Sequence, residues 1–155
     1  MGVADLKVSN RGNQVLVTHA LGSCVGLAIY DPQARVGGLL HYMLPDSHLD
    51  PAKAQVNPYM FADTGIPLLF RECYQLGAVK SRLRVKVAGG SQVLGGHEHF
   101  QIGRRNYAAL RKLFLKNNVL IDGEDVGGVT ARTLFLEMAT GRVWVRVLGQ
   151  ETIEL

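Results

Sequence analysis

Short apolar runs separated by turn residues fill the first third of the chain. Val15 to Thr18, Val25 to Tyr30 and Gly38 to Leu44 read as strands, with Asp31-Pro32-Gln33-Ala34-Arg35 as the turn between the last two. The period then changes. Ile66, Leu69, Cys73 and Leu76 recur at helical spacing. Asp63 or Thr64 is placed to cap the start of that helix and Gly77 to end it, and Pro67 fits the first turn, where its missing N–H does little harm. Arg82 to Ala88 returns to a two-residue alternation, with Leu83, Val85 and Val87 on one face. Gly89 to Gly96 is a glycine-rich loop. Ile102 to Asn117 predicts a second amphipathic helix that turns Leu110, Leu113 and Phe114 inward. Val119 to Ile121 is a short strand, and Thr133 to Met138 with Arg142 to Leu148 forms a hairpin around Ala139-Thr140-Gly141. Pro45 to Pro58, rich in Asp, Pro, Ser and Lys, reads as a surface loop. Two helices and roughly seven strands predict an α+β class, with the helices packed on a mixed sheet or a pair of sheets.

Composition narrows the setting. The 155 residues suffice for one domain over 1–155, and a hydrophobic share of 47% argues against disorder. No apolar run approaches the ~18 residues of a membrane span. Met-Gly-Val-Ala-Asp-Leu lacks a signal peptide's basic and apolar regions, and Leu6 stands where a myristoylation signal wants Ser or Thr. The expectation is a cytoplasmic protein, without membrane insertion, whose two cysteines are free thiols. The net charge of +4 is modest and scattered. Lys80, Arg82, Arg84 and Lys86 read as the solvent face of a strand, and Arg104, Arg105, Arg111 and Lys112 as a helix surface. Nucleic-acid binding is not expected, while docking of an acidic protein partner stays open.

The candidate chemistry lies in the first hairpin. A turn centred on Pro32-Gln33 places Cys24 opposite His41, and a longer loop places them one diagonal step apart. Opposed residues hold their Cβ atoms ~4.5–5.5 Å apart, close to what a nucleophile and its base require. Gly26 and Ala28 share the parity of Cys24, so that face is small-sided and has room for an extended substrate. The turn at Leu21-Gly22-Ser23 offers backbone N–H groups for an oxyanion, with Gly22 and Ser23 as the candidates. Thr18 ends the preceding strand, and its hydroxyl can accept from the second ring nitrogen of His41 and fix the tautomer. A lone cysteine on an apolar strand is also an ordinary core residue, and spacing alone leaves both readings open. Cys73, on the inward stripe of a helix, reads as core.

Other groupings carry less. His97-Glu98-His99 has two potential ligands and no evident third, so no metal site is expected. His19 points to the opposite strand face from Thr18, and His48 belongs to the surface loop. The glycine-rich loop lacks a Gly-Lys-Ser/Thr ending and is not a phosphate loop. Its Val93 and Leu94 either tuck inward or form an exposed tip for protein docking.

Thr18, Leu21-Gly22-Ser23-Cys24, Tyr30-Asp31, Gly37-Gly38, His41 and Leu44-Pro45-Asp46-Ser47 together resemble the signature of CheD, the chemoreceptor glutamine deamidase family of chemotaxis. Gly77-Ala78, Ala88-Gly89-Gly90, Ile102-Gly103-Arg104-Arg105-Asn106, Asp125-Val126-Gly127-Gly128 and Ala131-Arg132 continue it in order, so it spans nearly the whole chain. Gly65 and Ser91 are small departures in supporting segments. The resemblance implies a three-layer α/β/β fold similar to the catalytic domain of the cytotoxic necrotizing factor toxins. It implies a cysteine hydrolase that converts glutamines of methyl-accepting chemotaxis receptors to glutamates, without a cofactor. By position, Cys24 is the nucleophile, His41 the base and acid, and Thr18 the residue that orients His41. It also allows a non-enzymatic module that binds receptors or a CheC-type phosphatase. Nothing in the chain demands more than a monomer.

Overall fold

The computed structural model describes residues 1–92 and 101–155. Two sheets form the frame. Strands β1 (Asp5–Ser9), β3 (Val25–Asp31), β4 (Val36–Tyr42), β5 (Arg84–Gly89) and β6 (Gly123–Val126) make a five-stranded sheet in the order β1-β4-β3-β5-β6. Strands β2 (Val15–Leu21), β7 (Arg132–Glu137), β8 (Val143–Arg146) and β9 (Ile153–Glu154) make a second in the order β2-β7-β8-β9. The β5–β6 pair is parallel and the other pairs are antiparallel.

The central strands β3 and β4 are buried along their whole length, because both faces of the larger sheet are covered. Val25, Leu27, Ile29, Leu40 and Tyr42 face the helices α2 (Ala62–Gln75) and α3 (Ile102–Asn117). Ala28, Tyr30 and Leu39 face Leu134, Leu136, Val143 and Val145 of the second sheet. The molecule therefore stacks helices on one sheet and that sheet on the other, an α+β arrangement. Each interface removes an apolar layer from water, the main favourable contribution to folding.

The helices follow their apolar stripes. In α2 the buried positions are Ala62, Gly65, Ile66, Leu69, Phe70 and Cys73, one face of a 3.6-residue period. The helix starts at Ala62, ahead of the expected caps. Phe61 stands at its N-cap without a capping side chain, Asp63 accepts instead from Ser47, and Pro67 lies inside the helix rather than in its first turn. Its end is as expected: Gly77 has φ +107, and Ala78 and Gly77 donate to the carbonyls of Cys73 and Tyr74 at 3.0 and 2.9 Å. In α3 the inward stripe is Gly103, Asn106, Leu110 and Phe114. Phe70 meets Phe114 edge to face at 6.0 Å, joining the two helices.

Several expectations change. The surface-loop segment contains a short helix, α1 (Pro51–Val56), started by Asp50, whose side chain accepts from the Lys53 N–H. The strand expected at Val119 to Ile121 forms later, at β6. The edge strands β1 and β9 were not visible in the pattern. Lys80 to Arg82 is a 3-10 turn rather than strand, and Arg82 is no solvent-facing charge. Its guanidinium pairs at 2.9 Å with Asp31, which is fully buried. Asp31 also accepts from the N–H groups of Gln33, Ala34 and Val79, binding the β3–β4 turn to the chain entering β5. Arg82 and these N–H groups outweigh burial and hold the Asp31 carboxyl far below its ordinary range.

Candidate active site

The site forms where the chain crosses from the second sheet to the first. β2 runs opposite β7 until Thr18, which pairs with Leu134, and then its register shifts. Ala20 takes the left-handed conformation at φ 58, and the Gly22 N–H donates back to its carbonyl at 2.9 Å. Leu21, fully buried, anchors the crossing. Gly22 to Cys24 then turn into β3. One short crossing thus places Thr18 at its start, in one sheet, and Cys24 at its end, against the other.

His41 comes to the same place from β4. The β3–β4 turn occupies the four residues 32–35, with Arg35 left-handed at φ 56, so the strands close on Asp31 opposite Val36. This loop is longer than a turn centred on Pro32-Gln33, and it moves the register by two. Gly26 stands opposite His41, and Cys24, two residues earlier, lies one diagonal step from it. The longer-loop geometry is the one the protein adopts.

His41 is fully buried, and its Nδ1 lies 2.7 Å from the Thr18 Oγ1, a hydrogen bond that bridges the two sheets. With the ring proton on Nδ1 and donated to Thr18, Nε2 carries a free lone pair. That Nε2 is buried and has no hydrogen-bond partner among the described residues. Burial pulls the imidazole down to about 4, against a partial rise from the Asp5 charge, so the ring is neutral at pH 7. Cys24 is half-buried against the apolar layer between the sheets, and burial pushes its thiol up from 9.0. The resting pair is therefore thiol and neutral imidazole rather than thiolate and imidazolium.

The backbone around Cys24 is held from outside. The carbonyl of Gly22 accepts from Ser91 N–H at 2.8 Å and that of Cys24 from Gly90 N–H at 2.8 Å. The carbonyl of Ser23, between them, accepts from Nδ2 of Asn106 at 2.9 Å. No backbone carbonyl among the described residues accepts from the N–H groups of Ser23 or Cys24, the latter lying against its own thiol, while the Gly22 N–H is engaged by Ala20. Gly89 makes the close approach possible: at φ +104, a Cβ there would stand 2.3 Å from the Cys24 carbonyl oxygen. Arg132 steadies this loop from the second sheet. It pairs with Asp125 at 2.9 Å and donates to the Gly127 carbonyl at 2.8 Å, while Gly127 N–H donates to Gly89 at 2.9 Å.

The small-sided face of β3 does not admit a substrate. A Cβ on Gly26 would meet Leu134 and Leu21 side-chain atoms, both at 2.8 Å, so the space over Gly26 is filled by the second sheet. The smallness serves sheet packing. Cys73 is core, with no exposed surface and a thiol pushed up to about 12 by burial. His19 is exposed, with Nδ1 3.4 Å from Thr133 Oγ1. His48 is exposed beside Asp46, whose carboxylate raises its pKa. Asp46, His48 and Asp63 bring ligand atoms within 4.8 Å of one another, but Asp63 is bonded to Ser47 and Asp46 to His48, which closes the surface segment. Val93, Leu94 and His97-Glu98-His99 lie outside the described residues.

The residue that sequence reasoning missed is Asn106. Its signals were a polar side chain at an inward position of an amphipathic helix and its place in the Ile102-Gly103-Arg104-Arg105-Asn106 motif, to which no role was attached.

Residues 43–147 match the family model described as CheD chemotactic sensory transduction. Relatives extend the match across the crossing. One from Syntrophus aciditrophicus, named a probable chemoreceptor glutamine deamidase CheD 1, is 56% identical over 155 residues, covering 100% of this chain and 97% of that protein. One from Solibacter usitatus, named a probable chemoreceptor glutamine deamidase CheD, is 52% identical over 151 residues, covering 97% of this chain and 89% of that protein. One from Pyrococcus abyssi with the same name is 38% identical over 157 residues, covering 99% and 94%.

Proposed function

The chain belongs to the CheD family, and on that premise we propose that it is a chemoreceptor glutamine deamidase in which Cys24 forms a thioester with the substrate side chain. The observation that carries the mechanism is the buried, neutral His41, held through Nδ1 by Thr18 with Nε2 unpartnered, one diagonal step from a half-buried thiol.

The protonation states set the order of events. Because the thiol rests protonated, attack and proton transfer proceed together. His41 Nε2 takes the thiol proton as Sγ bonds to the carboxamide carbon of a receptor glutamine. The carbonyl oxygen becomes an oxyanion, for which the N–H groups of Ser23 and Cys24 are the available donors. The imidazolium then gives its proton to the departing nitrogen, the C–N bond breaks, and ammonia leaves behind a thioester. Water next attacks the thioester, its proton passes to His41, and the C–S bond breaks. Glutamate is released and Cys24 regains its proton from His41. In sum, amide and water become carboxylate and ammonium, and a neutral receptor side chain gains a negative charge.

The reading takes residues 1–155 as one cytoplasmic catalytic domain acting as a monomer, with a fold like that of the cytotoxic necrotizing factor catalytic domains. No helix among the described residues is long and apolar enough to cross a membrane. A CheC-type phosphatase is a second proposed partner.

The test is ammonia release from a purified receptor cytoplasmic fragment. Wild-type protein releases ammonia, and Cys24→Ala and His41→Ala release none above the receptor alone while melting as folded proteins. Ammonia release by Cys24→Ala sinks the mechanism. A wild type that binds receptor without releasing ammonia leaves the non-enzymatic binding role instead.

A further inference from the structure

We infer that Asn106 is a positioning residue of the deamidase: its side-chain amide locks the segment carrying Cys24 to the segment carrying His41. The inference rests on the proposed roles of those two residues.

The regular ladder between β3 and β4 ends at the pair Val25 and Tyr42. Beyond it lie Ser23 and Cys24 on one strand's approach and Met43 on the other's exit. Nothing in the sheet itself keeps these two ends together. Asn106 does so. Its Nδ2 donates at 2.9 Å to the Ser23 carbonyl and at 2.8 Å to the Met43 carbonyl. One amide group with two N–H bonds therefore replaces the missing rung. Ser23 immediately precedes Cys24, and Met43 follows His41 by two residues. The clamp thus fixes the spacing of nucleophile and base at the point where the hairpin would otherwise fray.

The clamp is itself held. Asn106 is fully buried on the inward stripe of α3, and its own backbone carbonyl accepts from the Tyr42 hydroxyl at 2.7 Å. Tyr42, fully buried, is the last residue of β4. At the helix start, Gly103 lies against the Gly90 and Ser91 backbone, the residues whose N–H groups hold the Cys24 and Gly22 carbonyls; a Cβ there would stand 2.5 Å and 2.4 Å from the two carbonyl oxygens. Helix α3 therefore meets the Cys24 segment through two attachments a turn apart. An apolar residue would have filled the same inward position more simply, since a buried amide is favourable only when its donors are satisfied. Both donors are satisfied by carbonyls flanking the proposed catalytic residues, while the amide Oδ1 is buried without a partner among the described residues, so the two clamp bonds are what the buried amide is kept for.

The experiment compares wild type, Asn106→Ala, Asn106→Ser and Leu110→Ala. Leu110 is fully buried one turn further along α3 and makes no part of the clamp. Receptor deamidation gives kcat and KM, and iodoacetamide alkylation of Cys24 at pH 7 reports thiol activation without any receptor. The expected result for Asn106→Ala is a fall of about 10²-fold in kcat with KM within about two-fold, since a misplacement near 1 Å costs about that much. Its Cys24 alkylation rate drops to that of His41→Ala. Leu110→Ala loses comparable melting temperature, yet keeps wild-type kcat and alkylation below its melt. Asn106→Ser retains one donor and lies between; it carries the test if the alanine variant does not fold. Wild-type kcat and alkylation in a folded Asn106 variant overturn the clamp. Equal losses in Leu110→Ala overturn it too, because the effect is then general loosening. If Cys24→Ala itself deamidates receptor, the underlying mechanism has failed rather than the clamp, and alkylation still reports whether Asn106 couples the two residues.

Discussion

Cys24 rests as a thiol because it is buried beside a histidine that is also buried and neutral. That state has a direct signature. Alkylation of Cys24 climbs with pH through the alkaline range and shows no plateau in acid, since the thiol rests protonated and reacts only as its proton leaves, to His41 near neutrality and to solvent in alkali. A plateau near pH 5 contradicts this resting state. Thr18 fixes the ring through a single hydrogen bond, so Thr18→Val leaves the Nδ1 proton buried without an acceptor. The expected cost is ~1–3 kcal/mol of stability and a fall in kcat on the order of 10²-fold from the misaligned base, measured by thermal melting and by deamidation. At this scale much was legible from the chain. Cys24, His41 and Thr18 were grouped by residue type, strand position and resemblance, and the fold brings the three together. The pattern left two registers open for Cys24 and His41, and the longer loop forms, because turn length is decided by local backbone conformation at Arg35 rather than by the hydrophobic pattern. Asn106 was missed as a site residue because its partners are backbone carbonyls distant in sequence, and no periodicity encodes those.

The elements carry the site by close backbone contact. The β5 end reaches the Cys24 carbonyl only because Gly89 has no side chain and takes φ +104. Gly89→Ala pushes a methyl into that oxygen and strains the backbone, at ~1–3 kcal/mol. The expected result is a protein that still folds, melts lower and loses most of its deamidase activity, because the displaced atom belongs to Cys24, the proposed nucleophile. Wild-type activity in that variant contradicts the tie between β5 and the site. Asp31 is the opposite case. Its carboxylate holds the far end of the same strand to Arg82 and three N–H groups. Asp31→Ala strands those donors and lowers stability by ~3–5 kcal/mol, visible as a lower melting temperature, while kcat of the folded fraction stays near wild type. The helices were predictable from their stripes, α3 over its full range of Ile102–Asn117. The short edge strands were not, since β9 has two residues and pairs through backbone groups that any sequence offers.

Across the whole molecule, the proposed catalytic geometry depends on two sheets packing face to face. Thr18 belongs to one and His41 to the other, and the hydrogen bond between them forms only when the layer of Leu21, Ala28, Leu39 and Leu134 closes. Sequence reading foresaw helices on a mixed sheet or sheet pair, and it assigned the small residues beside Cys24 to substrate. They serve this closure instead, because which strand covers which face is a tertiary outcome. The buried histidine makes the closure pH-sensitive. His41 binds a proton near 6.5 when unfolded and only near 4 when folded. The unfolded state thus holds the extra proton between those values, and stability falls as pH drops through that window, by at most ~1.4 kcal/mol per unit. Asp31 acts at lower pH, below its ordinary 3.8. Denaturant melts from pH 4 to 7 should show this slope in wild type and lose it in His41→Gln; a slope unchanged by the substitution contradicts a neutral buried His41. The central claim is that Cys24 hydrolyses receptor glutamines, and mass spectrometry of a receptor cytoplasmic fragment incubated with wild type and with Cys24→Ala tests it most directly. The account predicts a gain of about one dalton at each modified glutamine, amide becoming acid, with wild type alone. The same gain with Cys24→Ala, or none with wild type on a receptor it binds, contradicts it.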